Sequence, residues 1–379
     1  MILMKFDASL YVENVGSKLP RDYQTQTSES VAEYLEQGFK RIEVLGPTGC
    51  GKTITSKLVA LSKRVRKAIG AEHKEKIRVL FISNRHRLNR QAEETYAGLE
   101  TVELIPQSAF SAIPQSVIDE GWDMTFIDES HHEAMMSIQY LLSTLINHPI
   151  IGFTADNQRS DGMLCKFDRT VLMISEYDAA MNGYIEKAGI NTILDYDSPN
   201  KAKLALDIVK QYGQSMGNTI VFFRTQQEVH AFYRGVKKLG HTATYLDNKS
   251  TEKDLDQALE DLSTGKAKFL VNCQKVGEGI DTPNVSDVLL MRHFNSRAEK
   301  KQYIGRAIRN DSPCQAWEIM NPLADNISAK ECVGVVKFER MIYKFKGEWI
   351  EEMISGNDDL WGQMDNLRTQ PQTDIPLAA

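Results

Sequence analysis

The chain has 379 residues, 42% of them hydrophobic, and a formal net charge of −6. That length accommodates two domains of ordinary size with real cores, and no run reaches the roughly 18 apolar residues of a membrane span. Five cysteines (Cys50, Cys165, Cys273, Cys314, Cys332) are scattered without a Cys-x-x-Cys spacing, which argues against a zinc site or disulfide framework and fits a reducing cytosol.

The first residues, Met1-Ile2-Leu3-Met4-Lys5-Phe6-Asp7, lack the basic start and long apolar stretch of a signal peptide. The apolar run Ile42 to Leu45 reads as a strand leading into Gly46-Pro47-Thr48-Gly49-Cys50-Gly51-Lys52-Thr53, and Thr53 to Ala68 as a helix with Leu58, Val59 and Leu61 inward. A glycine-rich turn between a strand and a helix is a phosphate loop. Its glycines let backbone N–H groups turn onto phosphate oxygens, Lys52 adds a point charge, and the Thr53 hydroxyl is placed for Mg²⁺. Cys50 reads as a small filler of the loop.

Residues 52–90 carry twelve Lys or Arg against two Glu, although the chain is acidic as a whole. Contact with phosphates needs a basic face and not a basic average. Lys63, Arg64, Arg66 and Lys67 therefore read either as a solvated basic helix or as a binding face.

Strand-like runs recur at Val79–Ile82, Met124–Ile127 and Ile150–Phe153, and a second set at Thr219–Phe223, Lys268–Val271 and Val288–Met291. This is the rhythm of parallel sheets with both faces covered. Polar, turn-rich sequence around Ser198-Pro199-Asn200 marks a linker. The expected division is 1–190 for the first domain, 191–203 for the linker, 204–346 for the second domain and 347–379 for an acidic, frayed tail. No internal repeat is visible.

Asp128 and Glu129 close the strand ending Phe126-Ile127 and so fall at the carboxyl edge that the phosphate loop also occupies. Asp128 suits a magnesium ion held through water, and Glu129 suits orienting and deprotonating an attacking water. His131 is placed to report nucleotide state toward the second domain. Arg306 and Arg309 lie three apart and share one helix face. Following Gln302, Gly305 and the run Gly279-Ile280-Asp281, they read as an arginine pair that stabilises a transferring phosphoryl group from another domain.

Taken in order, these elements resemble a superfamily 2 helicase of the DExH type across residues 19–325. Within it they are similar to DNA-repair and phage-type helicases whose fifth motif reads Glu-Gly-(Phe/Ile)-Asp-x-Pro, here Glu278 to Pro283. The resemblance implies an α/β chain of two tandem RecA-like domains, each a mostly parallel sheet flanked by helices, with ATP and Mg²⁺ in the cleft between them. It places Gln24 at the adenine, and Arg21, Gly279 and Asp281 at ATP. It assigns Thr154, Ala155, His131 and Gln302 to coupling. It assigns Arg85, Gln107, Ser108, Arg159, Arg224 and Thr225 to the nucleic-acid strand. Asp156-Asn157 stand where relatives have Thr-Pro, and Ser160 stands where a fork-reading Arg-Glu-Asp element has Glu.

The resulting expectation is an ATP-dependent helicase or translocase acting on single-stranded, forked or branched DNA. RNA is the alternative substrate, and a nucleotide-gated binding switch or annealing factor the alternative function. The acidic tail is a candidate protein-binding segment. The chain is expected to be a monomer in a bacterial or phage-infected cytoplasm, with no membrane partner.

Overall fold

In the first half of the chain, short strands rich in β-branched and aromatic residues stack into one parallel sheet. The computed structural model describes residues 20–84, 86–132, 138, 143–145, 147–155, 166–195, 198–273, 275–276, 284–294, 297–305, 315–321, 327–333 and 335–355. The strands are β1 (Arg41–Leu45), β2 (Ile77–Ser83), β3 (Val102–Ser108), β4 (Met124–Asp128), β5 (Ile150–Thr154) and β6 (Arg169–Leu172), in the order β3-β2-β4-β5-β1-β6. Every neighbouring pair is parallel. All six carboxyl ends therefore lie on one edge, where ligands bind in open α/β sheets. The helices are α1 (Asp22–Glu36), α2 (Lys52–Leu61), α3 (Lys63–Ala68), α4 (His86–Tyr96) and α5 (Gln115–Glu120).

The single helix expected over Thr53 to Ala68 is two helices. Ser62 adopts extended geometry, and its hydroxyl accepts from the Val65 amide at 3.4 Å, recapping the chain as α3. Leu58, Val59 and Leu61 are fully buried, as the apolar spacing requires.

The chain divides into two compact units between Ser175 and Glu176. The second unit holds β7 (Ala188–Leu194), β8 (Thr219–Phe223), β9 (Ala243–Leu246), β10 (Phe269–Asn272), β11 (Asp287–Met291), β12 (Gln315–Met320), β13 (Val336–Phe345) and β14 (Glu348–Ser355), in the order β14-β13-β7-β12-β11-β8-β10-β9. All pairs are parallel except the β13–β14 hairpin. Lys346 and Gly347 both have positive φ at its tip, the backbone that a two-residue turn needs to match strand twist. Along β8, Ile220 and Phe222 enter one core while Val221 and Phe223 enter another on the opposite face. Burial of both faces explains why these strands read as unbroken apolar runs.

Two expected boundaries move. The segment 191–203 is no linker, because β7 pairs with β12 and β13 inside the second sheet and a helix starts at Lys201. The polar residues that disguised β7 are satisfied there. Asn191 accepts from Arg340 at 2.8 Å and donates to Gln315 at 3.1 Å, and Thr192 donates to Glu318 at 3.1 Å. The acidic tail begins later than residue 347, since Glu348–Ser355 is the outer strand of the hairpin.

Candidate active site

The phosphate loop runs from the end of β1 to the start of α2. Gly49 and Gly51 have φ of 88° and 82°, a left-handed backbone that a side chain would strain. The Cys50 carbonyl accepts from the Tyr23 hydroxyl at 2.6 Å and from the Gln24 amide at 3.1 Å. In a trans peptide the carbonyl and the next N–H point in opposite directions. Tethering that carbonyl to α1 therefore turns the Gly51 N–H the other way, away from α1. Gly46 donates its amide to the Thr154 carbonyl at 2.9 Å, which fixes the entry of the loop to the end of β5. Cys50 is fully buried with its sulfur 4.0 Å from that of Met173, the filler expected of it. Lys52 rests with its ammonium 3.4 Å from the Gly46 carbonyl, and Pro47, Thr48 and Thr53 complete the loop.

Gln24 is only 4% exposed, and both ends of its amide are engaged: the oxygen accepts from the Arg21 N–H at 3.0 Å and the nitrogen donates to Cys50. The expected reader of adenine is thus also a strut of the phosphate loop. Arg21 is exposed and donates to the Tyr23 hydroxyl at 3.0 Å. Tyr23 was not among the sequence candidates; its place one residue before Gln24 was the available signal.

At the end of β4, Asp128 accepts from the Glu129 amide at 3.2 Å. Glu129 has φ of 52°, unusual for a residue with a side chain and costing about 1–2 kcal/mol. Its Oε2 is buried and makes no hydrogen bond, although it lies 3.5 Å from His131 Nδ1. The closer partner of that nitrogen is the Thr154 hydroxyl at 2.9 Å. Thr154, fully buried, thus joins the phosphate loop through its carbonyl to the Asp-Glu turn through its hydroxyl. The sheet order explains this, because β5 lies between β4 and β1. The described partners of His131 are within the first unit, and Ala155 follows half-buried.

Beneath this turn lies a residue that sequence reasoning passed over. Glu43, in the middle of β1, is 2% exposed and accepts from the Ser130 hydroxyl at 3.4 Å. A carboxylate in an otherwise apolar strand was the signal. Gly152 on β5 makes room for it, since a Cβ there would sit 2.7 Å from the Ser130 Cβ.

A magnesium ion fits this donor set. Among the described residues no three His, Cys, Asp or Glu side chains converge. Magnesium ordinarily takes one or two carboxylates with substrate phosphates and water, and not a protein cage. Asp128 and Thr53 are the residues that would hold it.

The expected strand-contacting residues fare unevenly. Gln107 is buried and its amide donates to the carbonyls of Ser108, Ser111 and Ala112 at 3.2, 3.1 and 3.2 Å, so it shapes a loop and does not face solvent. Ser108 closes β3. In the second unit Arg224 is exposed after β8, while the Thr225 hydroxyl caps the next helix, donating to Glu228 at 2.8 Å and accepting from its amide at 3.3 Å. Gln302 lies on the helix Arg297–Ile304. Arg85, Arg159, Gly279, Asp281, Arg306 and Arg309 lie outside the described residues.

Part of the basic stretch is engaged internally. Lys57 donates to the Thr95 carbonyl at 3.1 Å, Arg66 to the Thr101 carbonyl at 2.8 Å, and Arg64 to Glu29 and Glu36 at 2.6 Å each. Lys74 pairs with Asp123 at 2.6 Å, and Arg78 with Glu120 at 2.6 Å and Glu103 at 3.2 Å. These five are engaged within the first unit, while Lys63 and Lys67 are exposed.

Among family models, residues 17–108 match the type III restriction enzyme res subunit, and residues 200–311 match the helicase conserved C-terminal domain. The two matches fall one in each unit. The putative ATP-dependent helicase IRC3 of Saccharomyces cerevisiae is 23% identical over 76% of this chain and 49% of its own length. The chain thus spans about half the length of that relative. Two solved structures share the fold. A single-substitution variant of S. cerevisiae Dbp5 bound to RNA and ADP BeF3 has 13% identity and a TM-score of 0.54, covering 94% of this chain and 98% of its own. The ATP-dependent restriction-modification enzyme LlaBIII bound to DNA has 14% identity and a TM-score of 0.56, covering 93% and 30%. At these identities the likeness carries the tandem RecA-like fold alone. No helix among the described residues is long and apolar enough to cross a membrane.

Proposed function

We propose that this chain is an ATP-driven nucleic-acid motor, a helicase or translocase that hydrolyses ATP at the phosphate loop and tracks along DNA. The observation that supports it most directly is the Oε2 of Glu129, a buried acceptor that takes no hydrogen bond and lies 3.5 Å from His131 Nδ1, at the same sheet edge as the phosphate loop. Burying an unpaired polar atom costs about 1–3 kcal/mol, so its retention calls for a ligand. The attacking water is that ligand.

In the proposed mechanism the loop N–H groups and Lys52 hold the β- and γ-phosphates. Glu129 Oε2 takes the proton of the water as it attacks the γ-phosphorus. Thr53 and Asp128 would hold a magnesium ion, which would supply positive charge to offset that of the phosphates. Arg306 and Arg309 would complete the site from the second domain and tie turnover to domain closure. Thr154 is placed to pass changes at the phosphate loop to the Asp-Glu turn, because it bonds to both. Gly279, Asp281, Ala155 and Gln302 keep their proposed places in nucleotide contact and coupling. DNA is proposed as the track because the motif pattern is similar to repair and phage-type helicases and because of the restriction-enzyme family match. A bacterial or phage-infected cytoplasm is the setting proposed with it.

Steady-state phosphate release with single-stranded DNA, forked DNA, duplex DNA or RNA tests this reading. DNA should stimulate turnover in the wild type. Lys52→Ala should lose nucleotide binding, and Glu129→Gln should bind without turning over. Greater stimulation by RNA would move the track to RNA. Turnover that ignores every nucleic acid would reduce the chain to a nucleotide-gated switch.

A further inference from the structure

The loop that follows β3 presents an aromatic ring to solvent on a fixed backbone. Phe110 is 71% exposed and has no ring partner among the described residues. Single exposed apolar residues are ordinary on protein surfaces, so exposure alone decides nothing. The construction beneath the ring is what sets this one apart. The buried Gln107 amide shares its two hydrogens among the carbonyls of Ser108, Ser111 and Ala112, on both sides of Phe110. The Ser111 amide donates back to the Ser108 carbonyl at 3.1 Å, closing the turn. The Phe110 amide donates to the Ser108 hydroxyl at 3.3 Å, and the Ala109 amide to the Ser83 carbonyl at 2.8 Å, with Ala109 itself buried. Four consecutive residues are thereby held to one another and to the end of β2, and the one at the apex is a phenylalanine in water.

The turn sits on the sheet edge that also carries the phosphate loop and the Asp-Glu turn, since all six strands are parallel. Gln107 was expected to touch a strand and instead orders the loop, while the exposed position falls three residues later.

We infer that Phe110 is a stacking platform for an unpaired base of single-stranded nucleic acid; this rests on the nucleic-acid motor proposed above. A base stacked on an aromatic side chain gains about 1–3 kcal/mol whatever its identity. Holding the backbone in advance lowers the ordering cost of binding. Such a contact adds affinity without sequence preference, and it complements phosphate contacts because it needs no charge.

The test is anisotropy titration of the full chain with a labelled single-stranded oligonucleotide across a salt series, together with quenching of 2-aminopurine placed along the strand. Phe110→Ala should weaken binding about 5- to 100-fold, the range that stacking energies imply, and abolish 2-aminopurine quenching at one position. Its slope of log affinity against log salt should match the wild type, because no phosphate contact is lost. Phe110→Trp should keep affinity, while Phe110→Leu, apolar but without a ring, should behave like alanine. If wild type binds and Phe110→Ala binds equally well, the stacking role is wrong while the motor proposal stands; a protein partner for this residue is then the better reading. Retained affinity in Phe110→Leu, or a salt slope lowered by about one, would also overturn it. A wild type that binds no nucleic acid defeats the motor proposal and this inference together.

Discussion

Replacing Glu129 separates chemistry from backbone strain, because two inactive variants should differ in stability. Its φ of 52° places a residue with a Cβ in the left-handed region, at a cost of about 1–2 kcal/mol. Glycine removes that cost and also removes the buried, unpaired Oε2, itself worth about 1–3 kcal/mol. Against this, glycine gives up about 0.5–1 kcal/mol in chain entropy. We expect Glu129→Gly to be more stable than wild type by about 1–4 kcal/mol. That corresponds to a rise of about 2–4 °C per kcal/mol for a unit of this size. Glu129→Gln keeps the backbone strain and a buried polar end, so it should stay within about 0.5 kcal/mol of wild type. Both variants should lose about 10²- to 10⁴-fold in turnover, the usual contribution of a general base. Urea unfolding and phosphate-release assays on the three proteins decide the matter. A Glu129→Gly protein no more stable than Glu129→Gln would refute the strain argument. Turnover near wild type in either variant would refute the assignment as base.

Gly152→Ala should destabilise by about 1–3 kcal/mol and slow turnover, because its Cβ would meet the Phe167 ring at 2.5 Å and the Ser130 Cβ, next to Glu129, at 2.7 Å; adding Ser130→Gly should recover part of the loss, and Ser130→Gly with Phe167→Leu most of it. Burial holds the His148 imidazole down at about 4, with Lys40 adding to and Asp123 opposing the effect. Between pH 6.5 and 4 the unfolded chain therefore binds a proton that the folded chain refuses. Unfolding free energy should fall in that window by at most about 1.4 kcal/mol per unit, and His148→Phe should flatten the dependence in urea melts at several pH values. Burial pushes the Cys332 thiol up to about 12, so alkylation at pH 8 with peptide mapping should find it protected until the chain unfolds.

Legibility in the sequence followed burial. β1, β4, β5 and β8 read correctly because each carries a short run of mostly apolar residues, and the phosphate loop because its glycines and Lys52 do a job few other patterns do. β7 and β12 were hidden by polar side chains whose partners are distant in sequence: Asn191 meets Arg340, and Glu318 meets Thr192 and Lys300. No local rule reveals such pairing. The β13–β14 hairpin was hidden because its outer strand, Glu348-Trp349-Ile350-Glu351-Glu352-Met353-Ile354-Ser355, sets apolar and charged residues in adjacent pairs and so lacks the alternation that marks a strand. Charge counting over residues 52–90 misled for a related reason. Summed charge does not register that Lys57 and Arg66 point inward to carbonyls, or that Arg64 and Arg78 are already paired. The site was legible in its list of residues but not in its wiring, since the Thr154 bridge arises from β5 lying between β4 and β1.

The double engagement of Gln24 bears on how base selectivity can be measured. One side chain supports the Cys50 carbonyl and stands where the adenine is expected, so its removal loosens the loop for every triphosphate, whatever the base. A variant at this position assayed with ATP alone would show a raised KM that could be mistaken for lost adenine recognition. The informative quantity is the ratio of kcat/KM for ATP to that for GTP, compared between Gln24→Ala and Tyr23→Phe. The second change removes a bond to the same carbonyl while leaving the amide in place. A ratio that moves only in Gln24→Ala reports the base, and KM values that rise in both report the loop.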